Sequence, residues 1–194
     1  MSFVVQNPAL RGSAPVGTKG FLNAQTVTDD LGLRPGMRAA DFGCGSGFFT
    51  MLIAKRVGKE GKVTAIDVQE AALDSIHAKA KEKGLMNIDA VHADLEVPGS
   101  SRLADGSQDV VLMANVLFQS QKKADILTEA KRVLASSGRL VILEWDKGTG
   151  GFGPPDELRM DREAMKQLVQ QQGFAFERLL ETGQYHYGLV FTKP

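Results

Sequence analysis

Three features of the 194-residue chain predict an α/β protein of the Rossmann-like, doubly wound kind with a mostly parallel sheet. From Arg34 onward, short apolar runs alternate with stretches of helical length, the pattern of parallel strands covered on both faces by crossover helices. The first apolar run meets the first such helix through Asp41-Phe42-Gly43-Cys44-Gly45-Ser46-Gly47-Phe48, a bend with glycine at every second position. Three successive apolar runs finish in aspartate, at Asp41, Asp67 and Asp94.

Residues before Phe21 are rich in Gly, Pro and Ser and lack periodicity, which predicts a loosely held arm, followed by a short helix over Phe21 to Leu31. Pro35-Gly36 announces a strand from Met37 to Phe42, and Phe49 to Ala54 continues as a helix with apolar side chains most of the way round. Val63 to Ile66 is the second strand. A helix from Glu70 to Lys83, stopped by Gly84, buries Ala72, Leu73, Ile76 and Ala80 and leaves Lys79, Lys81, Glu82 and Lys83 solvated. Ala90 to Ala93 and Val110 to Ala114 are strands three and four. A helix over Lys122 to Leu134 and the turn Ser136-Ser137-Gly138 lead to a fifth strand, Arg139 to Trp145. The last helix covers Asp161 to Gln172 and ends at Gly173.

Glycines in the bend allow positive φ and let the backbone approach a ligand with no Cβ in the way. The spacing is G-x-G-x-G, and Phe48 occupies the place of the third glycine of a dinucleotide fingerprint, which disfavours pyrophosphate and a nicotinamide-dependent oxidoreductase. Asp41 would repel phosphate and suits a ligand carrying an ammonium group. Asp67 is placed to accept both hydroxyls of a ribose. In open parallel sheets the ligand crevice lies beyond the carboxyl ends of the strands, so all three aspartates are expected to converge there.

Taken in order, these motifs resemble those of class I S-adenosylmethionine-dependent methyltransferases, over roughly Arg34 to the C-terminus. Asp41 to Gly47 resembles the family's first motif, Asp67 its ribose-binding acid, Asp94-Leu95 its adenine-contacting pair, and Asp109 to Asn115 the fourth-strand motif facing the methionine portion and the substrate. The resemblance implies a seven-stranded sheet ending in an antiparallel hairpin, from Phe174 to Leu180 and Tyr187 to Phe191. It also implies one methyltransferase domain over 34–194, behind an N-terminal arm and candidate lid helix in 1–33. The cofactor it implies is S-adenosylmethionine, with S-adenosylhomocysteine as product and no metal. It is to be held by Asp41, Gly43, Cys44, Gly45, Gly47, Asp67, Val68, Asp94, Leu95 and Asn115, with Val68 pressing on the adenine. The Gly153-Pro154-Pro155 loop and Tyr185-His186-Tyr187-Gly188 are similar to the branch that methylates quinones and other small molecules.

Composition narrows the partners. With 23 basic and 23 acidic residues the chain has no overall field that would draw it to polyanions, so a small-molecule substrate is expected and nucleic acid is not. Cys44 is the only cysteine, which excludes an internal disulfide and makes a cysteine metal site implausible; a small side chain filling a tight turn is its plain structural role. Met1 to Arg11 has neither a signal-peptide pattern nor a membrane-spanning length of apolar residues, so a cytoplasmic protein without membrane insertion is expected. Oligomeric state is left open.

A general base is harder to assign. Asn115-Val116-Leu117-Phe118-Gln119 contains no His or acid and lacks the Asn/Asp-Pro-Pro-aromatic motif of amino-group methyltransferases. Either the nucleophile ionises readily or the base comes from elsewhere, the candidates being Glu144, ending the fifth strand, and His186 between two tyrosines. His77 and His92 fall on a helix and in a strand. Phe118, Trp145, Phe152, Tyr185 and Tyr187 supply aromatic surface near one sheet edge. Methylation of RNA or protein, and a regulatory domain that binds the cofactor without transferring methyl, remain the alternatives.

Overall fold

The structure is a computed structural model and describes residues 22–149 and 152–194. The arm expected before Phe21 lies outside the described residues. Helix α1 (Ala24–Asp30) leads to β1 (Arg38–Phe42), α2 (Phe48–Val57), β2 (Lys62–Asp67), α3 (Glu70–Lys83) and β3 (Ile88–His92). Then come β4 (Gln108–Ala114), α4 (Lys123–Val133), β5 (Leu134–Trp145), α5 (Arg162–Gln171), β6 (Ala175–Leu180) and β7 (His186–Thr192).

The seven strands form one sheet in the order β3-β2-β1-β4-β5-β7-β6. All pairs from β3 to β5 are parallel, and β7 runs antiparallel to both β5 and β6. This is the predicted doubly wound sheet with an antiparallel C-terminal hairpin. The chain order reverses between β1 and β4, which opens a crevice above their carboxyl ends.

Strand alternation divides the side chains between two cores. Ala40, Phe42, Val111, Met113, Leu140, Ile142, Leu189 and Phe191 pack with Ile126, Leu127 and Ala130 of α4 and Met165 and Val169 of α5. On the other face, Ala39, Val110, Leu112, Val141, Leu143 and Val190 pack with Val27 of α1 and Phe49, Ile53 and Ala54 of α2. A third cluster, Cys44, Met51, Ala65, Leu73 and Ile76, fills the space between the glycine bend, α2 and α3.

Two expectations need correction. Strand β5 begins at Leu134, immediately after α4, because the Ser136-Ser137-Gly138 turn is a bulge inside the strand: Gln108 pairs with Leu134 and Val110 with Arg139, and Ser137 takes φ +62°. Lys79 is not simply solvated; its ammonium donates to the Ser46 carbonyl and ties α3 to the glycine bend.

Helix α1 is capped by Asn23, whose side chain accepts from the Thr26 N–H. Its apolar face is spent against α2, Asp29 pairs with Arg56, and Asp30 pairs with Arg178 of β6 at 2.9 Å. None of its residues lines the crevice described next.

Candidate cofactor and acceptor site

A cleft of about 360 Å³ opens at the β1/β4 reversal. Gly43 and Gly45 line it from the bend after β1, Asp67, Val68 and Gln69 from the end of β2, and Ala93, Asp94, Leu95 and Glu96 from the segment after β3. Ala114, Asn115, Val116, Gln119 and Ser120 close it from the end of β4, with Ile126 of α4 beneath. Seven of the expected site residues therefore meet around one space: Gly43, Gly45, Asp67, Val68, Asp94, Leu95 and Asn115. Asp41, Cys44 and Gly47 do not line it, and neither do Glu144 and His186.

The bend keeps its donors for the protein. The N–H groups of Gly43 and Cys44 both donate to the Ile66 carbonyl, Gly47 N–H to the Cys44 carbonyl, and Gly45 N–H to Asp67 Oδ2 at 2.9 Å. Gly45 holds φ +49°, and a Cβ there would have no atom within 4 Å, so the position faces the open cleft. Gly47 is needed for another reason: at φ +81° it caps α2, and a Cβ would collide with Ile76. Cys44 packs in the cluster beneath, where burial, then the carboxylates of Asp41 and Asp67, push its thiol pKa upward.

Asp67 receives Gln69 N–H on Oδ1 as well as Gly45 N–H on Oδ2, so its carboxylate is held rigidly at the rim of β2. Val68 beside it is 59% exposed, an apolar face turned outward. Asp94 receives Glu96 N–H at 2.9 Å. Glu96 then bridges the cleft, accepting from the Ser120 hydroxyl at 2.6 Å. The segment after β3 is anchored further along by buried Glu129 of α4, which accepts from Gly99 N–H and from the Ser101 hydroxyl.

The sequence predicts that all three aspartates converge on the crevice; Asp67 and Asp94 line it and Asp41 does not. Asp41 is the penultimate residue of β1 and its alternation turns it toward α2, where it accepts from the Thr50 hydroxyl at 2.5 Å behind the bend. Burial raises its pKa to about 6, against the Thr50 hydrogen bond and with a further push from Asp67. Asp109 sits at the opposite end of the sheet and accepts from Arg38 N–H.

The two candidate bases are separated by the sheet. Glu144 is 1% exposed; Oε1 accepts from Leu117 N–H at 2.6 Å and Phe118 N–H at 3.4 Å, while Oε2 has no partner among the described residues. Burial lifts its pKa to about 7, opposed by those N–H groups. His186 stacks on Trp145 with ring centroids 4.1 Å apart, and neither ring nitrogen has a partner among the described residues. Burial keeps it neutral, its pKa down at about 4, with Arg159 adding to the fall.

Arg159 escaped the sequence reading. Its buried guanidinium donates to the carbonyls of Asp146, Phe152 and Pro154 and to the Thr149 hydroxyl, and lies 5.6 Å above the Trp145 ring. It thereby organises the loop after β5. Gly153 lies so close to the Trp145 ring that a Cβ would meet it at 2.6 Å. Of the expected aromatics, Phe152 and Tyr185 touch edge to face at 5.4 Å, whereas Tyr187 is buried in the core with α4 and α5 and donates to the Met160 carbonyl. Val116 and Gln119 belong to the segment after the fourth strand where the family resemblance implies substrate-facing residues, whereas nothing in the local pattern distinguishes the cleft residues Gln69, Glu96 and Ser120 from loop residues.

Residues 33–184 match the methyltransferase-domain family, and the chain belongs to it. Its fold is that of class I S-adenosylmethionine-dependent methyltransferases. It is similar to the crystal structure of an S-adenosylmethionine-dependent methyltransferase from Aquifex aeolicus, with a TM-score of 0.82 and 29% identity over 90% of this chain and 91% of that one. A putative type 11 methyltransferase from Sulfolobus solfataricus aligns with a TM-score of 0.67 and 28% identity over 80% and 82% of the two chains. Demethylmenaquinone methyltransferase of Staphylococcus aureus is 36% identical over 124 residues, 63% of this chain and 49% of the relative. The chain thus spans about half the length of the curated relatives it matches.

No helix among the described residues is long and apolar enough to cross a membrane. Those residues contain no group of three or more His, Cys, Asp or Glu able to hold a metal ion.

Proposed function

We propose that the cleft binds S-adenosylmethionine and that the chain transfers its methyl group to a small-molecule acceptor by in-line displacement. The observation that carries this is the convergence of Gly45, Asp67, Val68, Asp94, Leu95 and Asn115 on one space at the β1/β4 reversal. The residues fit the cofactor: the open position at Gly45 admits a ligand against the backbone, and Asn115, at φ +58°, brings to the cleft wall a buried side-chain oxygen with no partner among the described residues. That oxygen is an acceptor suited to an ammonium group. Asp67 would hold the ribose hydroxyls, Val68 and Leu95 the adenine faces, and Asp94 the adenine edge.

The cofactor supplies a methyl group already activated by positively charged sulfur. What this chain contributes is alignment, for which fixed geometry can offset roughly 7–11 kcal/mol of barrier in well-oriented cases. The Ala114–Ser120 wall faces the glycine bend and presents the acceptor side of the cleft. Its lining residues Ala114, Asn115, Val116, Gln119 and Ser120 carry no titratable side chain. An acceptor whose own electron-rich ring supplies the nucleophile without a carboxylate or imidazole beside it, such as a phenol or the reduced form of a quinone, suits such a wall. The resemblance to demethylmenaquinone methyltransferase supports the same class.

The test is incubation of the purified protein with S-adenosylmethionine and reduced demethylmenaquinone, following S-adenosylhomocysteine and methylated product. Product formation supports the reading. Tight S-adenosylhomocysteine binding with no transfer to this or other phenolic acceptors would favour a cofactor-binding regulatory domain, the second reading that the uncharged wall allows.

A further inference from the structure

The acceptor wall is not held by its own side chains alone. Past Ala114 the chain leaves β4 through Asn115, whose N–H donates to the Leu143 carbonyl, and turns through a short 3-10 segment, Leu117–Gln119. The first N–H groups of such a turn have no partner within it. Here those of Leu117 and Phe118 both point at Glu144 Oε1, reached from the neighbouring strand β5. Leu117 is fully buried in the core beside α4, and the Gln119 side chain closes the turn by donating to the Asn115 carbonyl.

This arrangement reaches the cleft directly. Val116 and Gln119, on either side of the bound amides, line it. Val116 also abuts the glycine bend so closely that a Cβ on Gly43 would lie 2.5 Å from its Cγ2. The carboxyl group itself is sealed beneath the turn, with no part of Glu144 on the cleft wall. A base must reach the proton it removes.

Resting on the reading of the cleft as a methyl-transfer site, we propose that Glu144 is a positioning residue: it pins the Val116–Gln119 turn by its backbone and so sets the acceptor-side wall, without touching the acceptor. A carboxyl oxygen serves this purpose whether or not the group is ionised. A side-chain amide oxygen would serve it as well.

Glu144→Gln retains an oxygen for the Leu117 N–H, and Glu144→Ala removes it. The first measurement is amide hydrogen exchange by NMR on the full chain, free and with S-adenosylhomocysteine. In Glu144→Ala, exchange at Leu117 and Phe118 should accelerate by about tenfold or more, as expected for loss of one net hydrogen bond. In Glu144→Gln it should stay near wild type. The second measurement is transfer to reduced demethylmenaquinone, where Glu144→Gln should restore turnover that Glu144→Ala loses mainly through KM. Unchanged exchange in the alanine variant overturns the proposal. So does a glutamine variant with wild-type exchange and abolished turnover, which would make Glu144 the base. If the alanine variant does not fold, faster exchange at the two amides in the glutamine variant overturns it. Should wild type transfer no methyl to any acceptor, the functional reading fails, while the exchange arm still decides the pinning.

Discussion

Glu144 and His186 project from opposite faces of the same sheet. Glu144 is paired across the β5/β7 ladder with Tyr187 and shares its face, whereas His186 is paired with Trp145 and shares the other. Two groups so placed cannot act as a proton-transfer pair, and each must be judged by what surrounds it. Glu144 supports a backbone turn, and His186 contributes a ring to a stack with Trp145 and Arg159.

For His186 the consequence is testable by His186→Phe, which keeps an aromatic ring against Trp145. Turnover should stay within about threefold, well short of the 10²–10⁴-fold loss expected on removing a general base. A loss in that larger range, in a variant that still binds S-adenosylhomocysteine, would reinstate His186 as the proton acceptor.

Asp67→Ala should weaken S-adenosylhomocysteine binding by about 1.5–3 kcal/mol, the scale of hydrogen bonds to a charged group. The same change releases Gly45 N–H from its partner, so the bend should loosen too. Calorimetry on a folded variant checks this, and unchanged affinity would contradict the ribose-holding role.

Gly45→Val should abolish measurable binding while leaving the far-ultraviolet spectrum intact. A β-branched residue at φ +49° is strained, and its side chain would enter the cleft. Retained binding would show that the ligand lies elsewhere.

The pH dependence of stability should separate Glu144 from its surroundings. Its folded pKa, about 7, is above the 4.5 of an unperturbed carboxyl, so its contribution is fully present below pH 4.5 and is lost as pH rises through 7. Glu144→Gln removes that dependence. Relative to wild type, its stability should therefore increase from pH 5 to pH 8, by up to about 3 kcal/mol, and then level off. Asp41 acts in the same sense up to about pH 6. His186 opposes both, since its lowered pKa makes stability rise with pH between about 4 and 6.5. Paired denaturation curves at the two pH values isolate the Glu144 part. A difference independent of pH would refute it.

Arg159→Met should cost about 2–4 kcal/mol, because the carbonyls of Asp146, Phe152 and Pro154 lose a charged donor. Limited proteolysis should then cut between Asp146 and Leu158 while S-adenosylhomocysteine affinity is kept. An unchanged digestion pattern would show that the loop is held by other contacts.

Sequence reading succeeded where a local pattern and the tertiary environment agree. Helix α3 ends where Gly84 adopts φ +62°, and its buried Leu73 and Ile76 follow from 3.6-residue spacing alone. It misplaced the start of β5 because Ser136-Ser137-Gly138 has turn chemistry, and nothing local says that the strand resumes its pairing on both sides. Among the cleft residues, Asp67 and Asp94 are legible from their position at or just beyond strand ends. Asp41 looked the same but faces α2, since its orientation depends on strand phase and on Thr50, nine residues away. Arg159 and the Glu96–Ser120 bridge arise from loops brought together by the sheet, which periodicity does not record.

The inward-turned N–H groups of the glycine bend bear on competition in the cell. Adenine nucleotides share their nucleoside with S-adenosylmethionine and differ in carrying anionic tails. A bend whose amides at 43, 44, 45 and 47 are already engaged gives such a tail little to hold, and the neighbouring Asp67 repels it. Discrimination against ATP and NAD would then come from donors withheld, not from contacts added.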